Sequence, residues 1–205
     1  MNQSMKVYVL CFLLAPLFLS GGCPTTTPDA AEGNLESETQ APVAAADDPL
    51  PDVDPDDAVF ALLGEAEVLV EQGHPRAVLI EALGAPAGAP AQTADDIVKW
   101  TFYFMEDHEA PAASTVILEW ADGQFAAPQT LPQGIIGTMY ERLPRTMTLA
   151  TAITFMRNAG YGDPFSEVTL RKPLTFPMPR EAYYIFKIGA HFVLVGMETG
   201  EVTLE

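Results

Sequence analysis

Three histidines, two cysteines and scattered serines and carboxylates are the side chains of this 205-residue chain with chemistry to offer. His74 precedes a proline, His108 sits in Glu106-Asp107-His108-Glu109, and His191 opens an apolar segment. No two of them stand four apart, the spacing that puts two zinc ligands on one helix face. Four successive loop residues rarely converge on one ion, so the acidic tetrapeptide reads as a solvated loop. Ser114 and Ser166 lack the Gly-x-Ser-x-Gly setting of an exposed nucleophile. The glycine-bearing stretches Gly84–Gly88 and Gly134–Gly137 match neither the P-loop nor the dinucleotide fingerprint. Asp95-Asp96 stands just before a predicted strand, where surface solvation explains it. Asp47 to Asp57 is carboxylate-rich but lacks the central glycine and closing glutamate of a calcium loop. The sequence therefore predicts no catalytic residue, no metal site and no cofactor. The competing reading is a hydrolase whose site is assembled from distant residues.

The charge balance, 28 acidic against 10 basic side chains and a net −18, excludes a nucleic-acid partner, because phosphate binding needs a cationic surface. Divided by region, the stretch 24–57 carries −10, 58–139 carries −9, and 140–205 is neutral. Any adhesive surface is thus expected on the C-terminal half. At the N-terminus, Lys6 precedes the apolar run Val7–Leu19, which is shorter than the roughly 20 residues that span a bilayer and has the length of a signal-peptide core. Ser20-Gly21-Gly22-Cys23 follows. This ending resembles the lipobox of bacterial lipoproteins, although Leu19 lies four positions before the cysteine and Ser20 takes its usual place. The resemblance implies a signal peptide over 1–22, a lipidated Cys23 as mature N-terminus, and attachment to a membrane of the cell envelope, on the periplasmic side of the outer membrane. Ordinary secretion without the lipid is the alternative.

Residues 23–57 hold six prolines, no aromatic and no Lys or Arg, a composition that cannot bury enough apolar surface to offset its ordering entropy. They are expected to form an acidic, disordered tether. A helix capped by Asp56 or Asp57 is predicted over 58–72, from apolar residues at three- and four-residue spacing. A second short helix is predicted over 75–83, with Pro75 in its first turn and Gly84 ending it. Strands fit 97–105, with Trp100, Phe102 and Phe104 on one face, and 114–120, followed by an Ala121-Asp122-Gly123 turn and a short return. The segment 58–126 thus reads as a helix hairpin with antiparallel strands. Gly73, Val78, Leu83-Gly84, Pro86, Trp100 and Asp122-Gly123 together resemble the SmpA/OmlA-type outer-membrane assembly lipoproteins. That resemblance implies an accessory role in outer-membrane protein assembly.

Residues 127–145 read as a connector. A helix capped by Thr146 or Thr148 follows, with Leu149, Ala152, Ile153 and Met156 facing inward, then strands over 165–170, 182–188, 191–197 and 201–204. The helix, the Tyr-x-Phe strand and the closing Val-Leu-Val-Gly-Met-Glu-Thr-Gly-Glu-Val resemble PepSY-type modules, with Gly196-Met197 where those carry Asp-Ala. The expected class is α+β, with one or two small modules of helices on an antiparallel meander. The hairpin endings at Asp122-Gly123 and Thr199-Gly200 echo each other and fit either a tandem or two independent uses of one turn rule. In the proline-rich loop 173–180, Phe176, Met178 and Arg180 are candidate protein contacts, since Met and aromatic side chains adapt to partners. The whole suggests a membrane-anchored, non-catalytic binding, inhibitory or scaffolding module with an envelope-protein partner.

Overall fold

The computed structural model describes residues 57–106, 113–175 and 177–205, all within the second of the two units, Met1–Ala41 and Pro42–Glu205, into which the chain divides. Asp57 starts the fold as a helix cap. Its carboxylate accepts from the amides of Val59 at 3.0 Å and Phe60 at 3.2 Å, satisfying donors that the first turn of α1 (Ala58–Glu71) leaves free. Helix α1 buries Val59, Phe60, Leu63, Ala66 and Val70. Helix α2 (Leu149–Asn158) is capped by Thr148, whose hydroxyl accepts from Thr151 N, and buries the expected Leu149, Ala152, Ile153 and Met156.

Among the described residues, nine antiparallel strands form one sheet: β1 (Ala77–Pro86), β2 (Ile97–Glu106), β3 (Ser114–Ala121), β4 (Gln124–Phe125), β5 (Gln129–Leu131), β6 (Glu167–Arg171), β7 (Tyr183–Ile188), β8 (His191–Gly196) and β9 (Val202–Leu204). Their order is β4-β3-β2-β1-β6-β7-β8-β9, with β5 also paired to β3. This is the α+β class that the sequence predicts. The β3–β4 hairpin turns through Asp122 at φ 54° and Gly123 at φ 79°, the pair of left-handed residues that matches the twist of two-residue hairpins.

The predicted helix over 75–83 is a strand, so 58–126 holds no helix hairpin. Strand β1 buries Leu79 and Ile80 in succession, and its register against β2 shifts between Leu79 and Glu81. That bulge breaks the alternation by which a strand declares itself. The residues read as a connector also carry structure. They include β5, and Leu143 donates its amide to Leu79 O and is buried.

The two halves share one sheet and one core. Strand β1 pairs with β6 from Glu81↔Arg171 to Gly84↔Val168. The buried residues of both helices join Phe102, Phe104, Leu118, Tyr184 and Phe186 in a single cluster on one face of the sheet. Phe165 meets Phe186 edge to face at 5.0 Å, a preferred aromatic arrangement. Tyr184 is fully buried and donates its hydroxyl to Met147 O at 3.0 Å, so this buried polar atom is satisfied.

Candidate functional site

Because both helices lie on one face, the other is left to strand side chains and two crossing loops. Successive side chains alternate across a strand, and registered neighbours line up in rows. One row of this open face runs Thr101, Leu83, Thr169, Ile185, Leu194, Thr203 across β2, β1, β6, β7, β8 and β9. A second runs Tyr103, Glu81, Arg171, Tyr183. Residues 133–138 cover one end of this face. Thr115 donates its hydroxyl to Gln133 O at 2.6 Å, the Met105 side chain lies by Gly134, and Thr138 donates its hydroxyl to Glu81 at 2.6 Å. Residues 172–175 and 177–180 run alongside, joined to that cover where Met139 N donates to Lys172 O and Leu174 N to Gly137 O.

Between this loop and the sheet lies a groove of about 840 Å³. Its floor is Leu83, Thr169, Ile185 and Leu194, and its wall is formed by Pro173, Pro177, Met178 and Pro179. Phe192 lines it also and is 41% exposed. Glu81, Glu167 and Glu205 are its carboxylates, and Arg171 and Arg180 its cations. Arg171 Nη1 lies 3.6 Å from Glu81, while its buried Nε has no acceptor. Two phenols of this face, Tyr103 and Tyr183, hold their protons above the ordinary range. Burial is the main cause for each, followed by Glu81, Glu119 and Glu167 around Tyr103 and by Glu181, Glu201 and Glu205 around Tyr183.

Of the residues singled out from sequence, Met178 and Arg180 line the groove, and Met178 is 61% exposed. Phe176, His108, Cys23 and residues 23–56 of the tether lie outside the described residues. Leu83 stands out in the sequence only as part of a helix-stop pattern, and Tyr183, Ile185 and Leu194 do not stand out as binding residues. A signal for them exists, because the segments 182–188 and 191–197 are apolar on both faces, as strands covered on both sides are.

A second polar constellation joins the turn after α1 to the far end of the sheet. Glu106 Oε2 lies 3.2 Å from His74 Nδ1 and accepts from the Ser114 hydroxyl at 3.2 Å. His74 Nε2 lies 3.5 Å from Thr130 Oγ1. A carboxylate, an imidazole and a hydroxyl in this order can pass a proton, but 3.5 Å is long for that contact and His74 does not line the groove. Its evident work is to tie α1 to β2, β3 and β5. Among the described residues no three His, Cys, Asp or Glu side chains come together to hold a metal ion.

No protein-family model matches the chain, and no curated protein matches it. A solved structure, that of a presumed lipoprotein from Clostridium difficile 630, is similar at a TM-score of 0.44 and 10% identity, over 70% of this chain and 91% of that one.

Proposed function

We propose that this protein is a membrane-anchored, non-catalytic binding module of the bacterial cell envelope. It is lipidated at Cys23, and it takes a polypeptide segment of an envelope protein into the groove on the open face of its sheet. The groove carries this reading. Of the five adjacent strands in its floor, β1, β7 and β8 present Leu83, Ile185, Phe192 and Leu194 beside an exposed Met178, on the face that neither helix covers. Apolar and aromatic side chains with a polar rim are the make-up of a protein contact. The anchor rests on the apolar run before Cys23 and on the lipobox-like ending. The acidic, proline-rich residues between anchor and fold are suited to hold the module away from the membrane. A role in assembling outer-membrane proteins is one form this binding can take, and outer-membrane attachment on the periplasmic side is part of the reading.

Two measurements test it. Substituting Cys23→Ser abolishes acyl labelling and releases the protein from the membrane fraction, whereas unchanged labelling removes the anchor. A photo-crosslinker at position 178 of the lipidated chain in native membranes traps a protein partner, and Leu194→Gln suppresses the adduct. A crosslinker at Val68, exposed on α1, traps none. Equal yields from both positions would remove the groove from the function.

A further inference from the structure

The groove's occupant can be narrowed by charge. This inference rests on the binding role given to the groove and names its partner's chemistry. Side by side, β1, β6, β7, β8 and β9 make a floor about 20 Å wide at about 4.8 Å per strand, which is long enough for several residues of extended chain. Threonines punctuate the apolar floor residues, Thr169 standing between Leu83 and Ile185, and Thr203 beyond the neighbouring pair Ile185 and Leu194.

The ionic groups around this floor are unequally matched. Arg171 is held by Glu81, and Lys187 stands directly opposite Glu167 in the β6–β7 ladder. Glu119 stands opposite Thr101, and Glu205 exchanges backbone hydrogen bonds with Phe192, so neither faces a cation in its ladder. Glu201 belongs to the turn at the same end as Glu205. Arg180 is the remaining cation of the lining. The lining carries three carboxylates against two cations, and Glu119 and Glu201 beside it add to the acidic side. That balance attracts cationic segments and repels acidic ones.

We infer that the groove binds an extended polypeptide segment in which apolar side chains alternate with lysine or arginine, the apolar ones meeting Leu83, Ile185 and Leu194 and the cations reaching Glu205 at one end and, beyond the lining, Glu119 at the other. An acidic or purely polar segment would lose one or the other half of this match.

The test uses the full mature chain carrying Cys23→Ser, labelled for amide NMR, with three short probe peptides that alternate lysine with leucine, glutamate with leucine, and lysine with serine. The lysine–leucine peptide is expected to shift the amides of Leu83, Thr169, Ile185 and Leu194, to leave those of α1 unmoved, and to bind at least about tenfold more tightly than either other peptide. Ile185→Gln and Leu194→Gln, with unchanged amide dispersion elsewhere, should each weaken it by about tenfold. Val68→Gln should leave it unchanged. Raising the salt should weaken it further. Shifts spread over the whole acidic surface, or binding untouched by the two groove variants, would overturn the inference. Tighter binding of the glutamate–leucine peptide in the same groove would overturn the charge assignment and leave the binding function standing. If no peptide moves the groove amides, and vesicles of phosphatidylcholine and phosphatidylglycerol do, the inference and the protein-binding function both fall.

Discussion

The carboxylate of Glu181 occupies the space that a side chain on Gly196 would need. A Cβ at position 196 would lie 2.5 Å from Glu181 Oε1 and 2.6 Å from Thr199 Oγ1. Glu181 is 6% exposed, and it accepts from Glu198 N at 2.5 Å, Thr199 N at 3.1 Å and the Thr199 hydroxyl at 2.7 Å. A buried carboxylate is tolerated when donors surround it. The absent side chain of Gly196 lets this one reach across from the start of β7 to fix the turn between β8 and β9, and so the edge of the sheet that bounds the groove.

Gly196→Ala should therefore lower stability by about 1–3 kcal/mol, the usual range for forcing atoms into a filled site. The urea midpoint falls while the slope stays unchanged. In a double-mutant cycle with Glu181→Ala the two effects should be non-additive by at least about 0.5 kcal/mol, because both substitutions act on one space. Additive losses would mean that the carboxylate and the glycine do not share it.

Tyr184 predicts an alkaline limit. Burial pushes its hydroxyl far above the ordinary 10.0, with Asp57 adding to the shift. The folded state thus keeps a proton that the unfolded state gives up near pH 10. Stability owed to this group is complete below that pH and is lost as pH rises above it, by at most about 1.4 kcal/mol per pH unit. Denaturation midpoints should hold steady up to about pH 9 and fall beyond 10. Tyr184→Phe flattens that fall, and costs about 1–2 kcal/mol at neutral pH by leaving Met147 O unpaired. An equally steep alkaline decline in the variant would assign the loss to other groups.

What the sequence made legible, and what it hid, follows the same physics. Helices α1 and α2 declare their apolar faces and their caps at Asp57 and Thr148, and Trp100, Phe102 and Phe104 in one strand and Tyr184 and Phe186 in another stand at every second position, buried on one face. Strand β1 does not, because it buries Leu79 and Ile80 in succession at its bulge while Pro75 and Gly84 imitate helix punctuation. The pairing of β1 with β6 joins residues about 90 apart in sequence, and no local pattern announces it. The groove was hidden for the same reason: its floor comes from β1, β6, β7, β8 and β9, and becomes one surface only after that pairing. The wall was easier to see, because Met178 and Arg180 lie within one proline-rich segment.

Asp96 supplies a prediction at the acid end. Its carboxylate accepts from Gln92 N and Thr93 N, both at 2.8 Å, and these backbone hydrogen bonds hold its proton affinity below the ordinary carboxylate value. The depressed value means that its support for the loop before β2 is complete above the unfolded pKa and is lost as pH falls through the folded one. Carboxyl NMR should place the Asp96 midpoint below 3.8, and the amide exchange of Gln92 and Thr93 should quicken as it titrates. In Asp96→Asn that quickening should disappear from the pH profile. A midpoint at the ordinary value would show that the two amides do not favour the ionised form.

The shared sheet makes a final prediction about folding. Parting residues 58–126 from 146–205 would strip β1 of its β6 partner and open the single core that both helices close. Further ties cross the same boundary. Ala91 and Phe165 exchange backbone hydrogen bonds at 2.7 and 3.0 Å, and Arg157 donates to Gln92 O at 2.6 Å. Each fragment would expose a central strand as an unpaired edge, together with Phe102 and Phe104 in one case and Tyr184 and Phe186 in the other, every one of them buried in the whole. At about 60 to 70 residues, a fragment so opened has little core left to offset its chain entropy. The whole chain should unfold in one calorimetric transition whose van't Hoff and calorimetric enthalpies agree. Neither fragment alone should show a cooperative transition. Two resolved transitions, or a fragment with dispersed amide resonances, would mean that the halves are separate folding units that merely share an edge.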